Sequence, residues 1–244
     1  EFLSGGIMPT LTLERLLASI GFGSRKECRA LIRMGLVELE GIVQEDPFVE
    51  FETRPDSITV NGEEVTTETK IYGILHKPLG YECSAKPQHH ESVFSLLPSR
   101  FQGMDVRLVG RLDVDTSGLI CFSNQGDFIH ALESPKRGVK KRYLATLARP
   151  LEKEQEEQLL NPMMLKNEKR PVQAKSLNRL EEKVVEIEIT EGLYHQVRRM
   201  FAAVGNHVEA LKRISIGNLD LEQTELLPGE WRLCDAEDLK KLED

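Results

Sequence analysis

Three short segments of this 244-residue chain concentrate the side chains that could do chemistry. The first is Gly110-Arg111-Leu112-Asp113-Val114-Asp115-Thr116-Ser117-Gly118-Leu119, a polar loop between the apolar positions Val106, Leu108 and Val109 and a strand-like run at 119–122. Catalytic side chains tend to sit on such loops, because the flanking rigid elements fix them. Asp113 and Asp115 could share a face and hold a Mg²⁺ ion, with Asp113 accepting a phosphoryl group. They could equally cap backbone N–H groups in a turn. The second segment, Lys141-Arg142-Tyr143-Leu144, sets one aromatic ring among cations. By itself it reads as a core-facing tyrosine on a strand with solvated lysines around it. The third runs from Glu191 to Asn206. As a helix it puts Tyr194, Val197, Met200, Phe201 and Val204 on one face. At ~100° per residue Arg198 falls at the edge of that stripe and Arg199 roughly opposite it. Arg198 can then lean inward, where a buried arginine needs a carboxylate partner, while Arg199 meets solvent or phosphate. His195, at the helix start, reads as a hydrogen-bonded structural residue.

The elements that must position these segments follow from periodicity. Strand-like runs at 71–75, 119–123, 142–148 and 184–190 alternate with helical ones at 126–134, 151–160 and 194–204, which predicts an α+β domain with a mixed sheet flanked by helices. Upstream, Leu13, Leu16, Leu17 and Ile20 predict a helix over 11–20, ended by Gly21. Ser24 is a suitable N-cap for a second helix over 25–34, closed by Gly35. Its apolar stripe is Cys28, Leu31 and Ile32, with Arg25, Lys26, Arg29 and Arg33 mostly on the other side. Short strands are expected at 36–39 and 57–60, with a turn at Asn61-Gly62. Residues 66–70 read as a linker, and residues 1–7 as an expression remnant outside the fold. The division is therefore 1–7, 8–66 and 67–244.

A net charge of −8 argues against a nucleic-acid partner until its distribution is considered. Residues 12–34 hold Arg15, Arg25, Lys26, Arg29 and Arg33 against Glu14 and Glu27. Lys136, Arg137, Lys140, Lys141 and Arg142 fall within seven residues that contain no acid, while residues 38–68 hold ten acids and only Arg54. Charge is segregated, which suits a basic face on an acidic protein. Cys28, Cys83, Cys121 and Cys234 form no Cys-x-x-Cys pair, which argues against a zinc ribbon or disulfide framework and suits a reducing cytoplasm. His89-His90-Glu91 lacks spaced partner ligands and reads as a polar loop before a short helix at 93–97. No apolar run reaches membrane-spanning length.

Gly110-Arg111-Leu112-Asp113, with Asp115-Thr116 and Ser117-Gly118-Leu119, closely resembles the active-site motif of pseudouridine synthases, in the branch that acts on bacterial small-subunit ribosomal RNA. An aspartyl phosphatase fits less well, since Ser117 stands where that family prefers Thr or Val and no second acidic pair follows. Lys141-Arg142-Tyr143 resembles the family's Lys-x-Tyr motif, and Tyr194-His195 with the run 200–206 is similar to the small-subunit branch, whose large-subunit relatives begin this helix with Asn-Arg. Glu14 to Leu17, Gly23 to Arg33 and Ile58 to Gly62 together resemble an S4 RNA-binding domain, departing from it at the acidic turn Leu39-Glu40-Gly41. The resemblance covers roughly residues 10–232 and implies isomerisation of one uridine to pseudouridine in 16S ribosomal RNA. Asp113 is then the catalytic residue, Tyr143 stacks on the flipped uracil, and Arg198 pairs with Asp113. Arg111, Lys141, Arg199 and the S4-like Arg25, Lys26, Arg29 and Arg33 contact RNA. It further implies no cofactor, no metal, a monomer, a cytoplasmic location, and as partner small-subunit RNA or a pre-ribosomal particle. An S4-type binding protein without catalysis and a Mg²⁺-dependent phosphatase are the competing classes.

Overall fold

The computed structural model describes residues 10–244, so the expected remnant at 1–7 lies outside the described residues. The chain forms two compact units. One runs to Ile71 and takes in Pro98–Val106, and the other comprises Tyr72–Leu97 and Arg107–Asp244.

In the first unit, strand β1 (Leu11–Thr12) pairs with β4 (Glu50–Phe51), so helix α1 (Leu13–Ser19) begins two residues later than periodicity suggests. Leu13, Leu16, Leu17 and Ile20 are fully buried. In helix α2 (Arg25–Arg33) the Ser24 hydroxyl accepts the Glu27 N–H, the cap expected from sequence. Cys28 and Ile32 are buried, whereas Arg25, Lys26 and Arg33 are exposed. Arg29 differs from them: its guanidinium meets the largely buried Glu14 carboxylate at 2.8 Å. Strands β2 (Val37–Leu39), β3 (Ile42–Val43), β5 (Ser57–Val60) and β6 (Glu63–Thr66) form a small antiparallel sheet in the order β3-β2-β5-β6. Asn61 and Gly62 both have positive φ, 52° and 81°, the conformation that lets a two-residue turn follow strand twist. The excursion 98–106 makes a 3₁₀ turn whose Arg100 is buried over the Phe22 and Phe101 rings. Gly21 is needed there: at φ +89° a Cβ would lie 2.1 Å from the Arg100 carbonyl oxygen.

The second unit is built on one mixed sheet. Its strands are β7 (Tyr72–Lys77), β10 (Arg107–Val109), β11 (Thr116–Ser123), β12 (Lys141–Leu147), β13 (Ser176–Glu181), β14 (Val184–Ile189), β15 (Val208–Ile216), β16 (Leu219–Asp220) and β17 (Trp231–Leu233). The order is β13-β14-β12-β15-β11-β7-β17, with β10 on β11 and β16 on β15. β11 runs parallel to β15, and the other pairings of this sheet are antiparallel. Two-residue strands β8 (Tyr81–Glu82) and β9 (Glu91–Ser92) pair beside it. The helices are α3 (Gly126–Glu133), α4 (Lys153–Leu160), α5 (Gln196–Ala203), α6 (Leu221–Thr224) and α7 (Ala236–Glu243). Central β7 and β11 are buried almost throughout, as strands covered on both faces must be. Ile74, Leu119, Cys121, Ile129, Ile216 and Leu242 form a core joining the sheet to α3 and α7. Among the described residues, no helix is long and apolar enough to cross a membrane.

Candidate active site

The loop 110–115 leaves β10 and enters β11. Gly110, at φ +71°, turns the chain and donates its N–H to the Glu133 carboxylate at 2.7 Å. The Thr116 N–H closes a turn on the Asp113 carbonyl at 3.0 Å. Below that turn lies Lys77 at the end of β7, with no exposed surface. Its ammonium donates to three carbonyl oxygens, those of Pro78 at 3.0 Å, Asp113 at 3.0 Å and Thr116 at 2.8 Å. Burial pushes its pKa down, opposed by Cys83, Asp113 and Asp115 nearby. Lys77 is not among the residues expected from sequence.

A pocket of about 540 Å³ opens above the loop, lined by Arg111, Asp113, Tyr143, His195, Arg198 and residues of α3. Lys141 and Arg213 complete its wall. Tyr143 stands on β12 opposite Arg213 on β15 and is almost fully buried. Arg213 is buried too, its Nε donating to the Leu119 carbonyl at 2.8 Å. Sequence gave no reason to place it in the site, although β15 alternation groups it with Leu211 and Ser215 on a buried face. Gly118 of the parallel β11 faces this arginine at φ +118°, where a Cβ would come within 2.2 Å of the Arg213 carbonyl oxygen. Glycine at that point is a requirement of close strand approach. Burial, reinforced by Arg213 and opposed by Glu191, pushes the Lys141 ammonium down to about 8. Arg111 is exposed at the rim.

Helix α5 departs from expectation. It spans Gln196–Ala203, and Tyr194 and His195 lie outside it, with His195 in the left-handed region at φ +48°. Tyr194, expected on the apolar stripe, is 76% exposed, and its ring stacks on the His195 imidazole at 3.9 Å between centroids. His195 turns inward, and its Nε2 lies 3.0 Å from Asp113 Oδ1.

Two arginine placements require correction. Arg198 does not pair with Asp113: its guanidinium donates to the carbonyls of Val208 at 3.2 Å and Asp115 at 3.0 Å, and meets the Asp115 carboxylate at 3.4 Å. The reason is reach: the Val208 and Asp115 carbonyls lie within hydrogen-bond distance of its guanidinium, and His195 stands against Asp113 instead. Its Nε is buried without a partner, as is the Thr116 hydroxyl, and both residues line the pocket. Arg199 does not point freely to solvent. It binds Glu168 Oε1 at 2.8 Å and the carbonyls of Lys166 at 2.6 Å and Tyr194 at 3.1 Å. Gln196, another residue not expected from sequence, is buried and ties the preceding loop, accepting the Leu193 N–H at 3.1 Å and donating to Glu191 at 2.9 Å. Among the described residues no three His, Cys, Asp or Glu side chains converge as metal ligands would. His90 instead meets Glu82 at 3.4 Å.

Comparison with known proteins gives concordant results. A family model described as RNA pseudouridylate synthase matches residues 71–203. The chain is 33% identical over 230 residues to the ribosomal small subunit pseudouridine synthase A of Pasteurella multocida (strain Pm70), covering 94% of this chain and 98% of that protein. It is also 33% identical over 232 residues to the protein of the same name from Vibrio cholerae serotype O1, covering 95% and 99%. A crystal structure of a pseudouridylate synthase matches with a TM-score of 0.66 at 32% identity, covering 96% of this chain and all of that one.

Proposed function

This chain belongs to the RNA pseudouridylate synthase family, and on that premise we propose that it isomerises a specific uridine of 16S ribosomal RNA with Asp113 as the catalytic group. The observation that carries the reading is a pocket, of a size suited to a small ligand, that gathers Asp113, Tyr143 and four cations, Arg111, Lys141, Arg198 and Arg213.

Uridine in folded RNA hides C1′ and C5, so the nucleotide is flipped into this pocket. Arg111 at the rim fills the vacated space, since a guanidinium can stack and bond phosphate. Tyr143 lies against the uracil face. Asp113 then acts on the sugar, either by attack on C1′ or by removing the 2′ proton. The C1′–N1 bond breaks, uracil turns, and a C1′–C5 bond forms. N1 gains a proton and C5 loses one to solvent. No electron or group is transferred, so the reaction consumes no cofactor. The names of the relatives support ribosomal small-subunit RNA as the substrate. The protein works in the cytoplasm as a monomer, on this RNA or a pre-ribosomal particle. RNA carrying [5-³H]uridine tests the reading: 16S transcripts should release tritium, and release confined to 23S RNA or tRNA would overturn it.

Residues 8–66 act in this scheme as an S4-like RNA-binding domain in which exposed Arg25, Lys26 and Arg33 meet the phosphates. Replacing all three with Ala should lower the slope of log binding constant against log salt by about 0.7–0.9 for each phosphate left without its cation. An unchanged slope across a salt series would mark the face as merely solvated. Arg29→Ala should act differently, lowering the unfolding midpoint by stranding the buried Glu14 carboxylate.

Lys141 should give RNA binding a pH dependence. With its pKa held down to about 8, the ammonium is mostly charged at pH 7 and mostly neutral at pH 9. Phosphate favours the charged form, so affinity falls as pH rises, by up to ~10-fold if only the ammonium binds. Titrations at constant ionic strength should show this fall in the wild type and its loss in Lys141→Arg.

A further inference from the structure

The Asp113 carboxylate needs something to fix its orientation, and the arginine that sequence assigns to it is engaged with Asp115 and Val208 instead. We propose that His195 is the positioning residue for Asp113, held in place by its stack on Tyr194. The inference rests on the pseudouridine synthase reading of the same pocket and adds to it a residue that acts through the Asp113 carboxylate.

Three observations carry it. The imidazole Nε2 lies 3.0 Å from Asp113 Oδ1, an ion-pair distance that sets the ring edge against one oxygen of the carboxylate. His195 adopts φ +48°, in the left-handed region that residues with a Cβ enter infrequently. Its surroundings are identifiable. Arg199 holds the Tyr194 carbonyl, Gln196 holds the Leu193 N–H, and the Tyr194 ring lies within 15° of parallel to the imidazole. Tyr194 is exposed at the pocket mouth. Its use there is to support the imidazole from its outer side. The reacting carboxylate is thus oriented by a side chain whose own position is fixed by packing and backbone hydrogen bonds.

The test separates positioning from folding and from RNA binding. Single-turnover rates at saturating 16S RNA and equilibrium RNA binding are measured for His195→Ala, His195→Gln, Tyr194→Phe and Tyr194→Ala. His195→Ala should slow the saturating rate by at least ~10-fold, since small misplacement of a reacting group has large kinetic cost, while RNA affinity stays near wild type. Imidazole added to the buffer should restore part of that rate in His195→Ala but none in Asp113→Ala. His195→Gln, which keeps an N–H donor, should fall between. Tyr194→Phe, which keeps the stacked ring, should lose less rate than Tyr194→Ala, which should shift toward His195→Ala. A wild-type saturating rate in His195→Ala, an effect seen only in affinity, or a slowing that neither imidazole nor Gln relieves would overturn the proposal. Absence of tritium release from the wild-type protein would instead defeat the underlying functional reading.

Discussion

Asp113→Asn should lower the single-turnover rate of pseudouridine formation by at least ~10²-fold, the scale of loss when a proton-transfer or nucleophilic group is removed. RNA affinity should remain nearly unchanged. The substitution is informative because asparagine keeps the shape of the side chain and an oxygen where Oδ1 lies 3.0 Å from His195 Nε2 in the native protein. Geometry is preserved while the charge and basicity are lost, so a fall in rate reports on chemistry. Asp115→Asn is the control. Its side chain is 70% exposed, and Arg198 retains the Asp115 and Val208 carbonyls as partners. An exposed pair of this kind contributes little, so Asp115→Asn should cost far less. Equal inactivation by the two variants would revive a site that uses both carboxylates.

Lys77→Met should be the most damaging change outside the pocket. The ammonium, on a residue with no exposed surface, serves three carbonyl oxygens, two of them on the turn that carries Asp113. Methionine fills a similar volume and donates nothing. The Asp113 carbonyl keeps the Thr116 N–H, while a buried acceptor left without a donor costs ~1–3 kcal/mol, so a loss of roughly 2–4 kcal/mol is expected. Because the turn 113–116 loses its anchor, the saturating rate should also fall, by at least ~10-fold. Denaturant unfolding with single-turnover kinetics on the folded fraction checks both parts. A variant with native stability and native rate would show that the strand ends alone hold the loop.

Much of the local structure was legible because it is encoded within a few residues. Ser24 as an N-cap marked the start of α2, and Asn61-Gly62 marked the β5–β6 turn. The Gly110–Leu119 segment was recognisable as a loop entering a strand, but the reason for Gly118 was not. It lies in the parallel approach of β15, whose Arg213 is far along the chain. Lys77 and Arg213 were illegible for the same reason: β7, β11, β15 and β12 are neighbours in the sheet although separated in sequence. Composition cannot reveal which charge a distant strand will bury. The error at α5 has another source. Helical spacing accommodated Tyr194, but the loop pinned by Gln196 turns His195 into the left-handed region, so the helix starts only after it. That turn sends the tyrosine outward and the histidine toward Asp113. For Arg198 the angular position was roughly right, and the choice of partner depended on which carbonyls lay within reach.

The central claim is that Asp113 converts one uridine of small-subunit RNA to pseudouridine. The most direct measurement treats unmodified 16S transcript with purified wild-type protein or Asp113→Asn, then maps pseudouridine by carbodiimide modification and primer extension. The account predicts one new stop, at a single uridine, with wild-type protein and none with Asp113→Asn. A stop of equal strength with both proteins, or no stop with the wild type in either naked RNA or a pre-ribosomal particle, would contradict it.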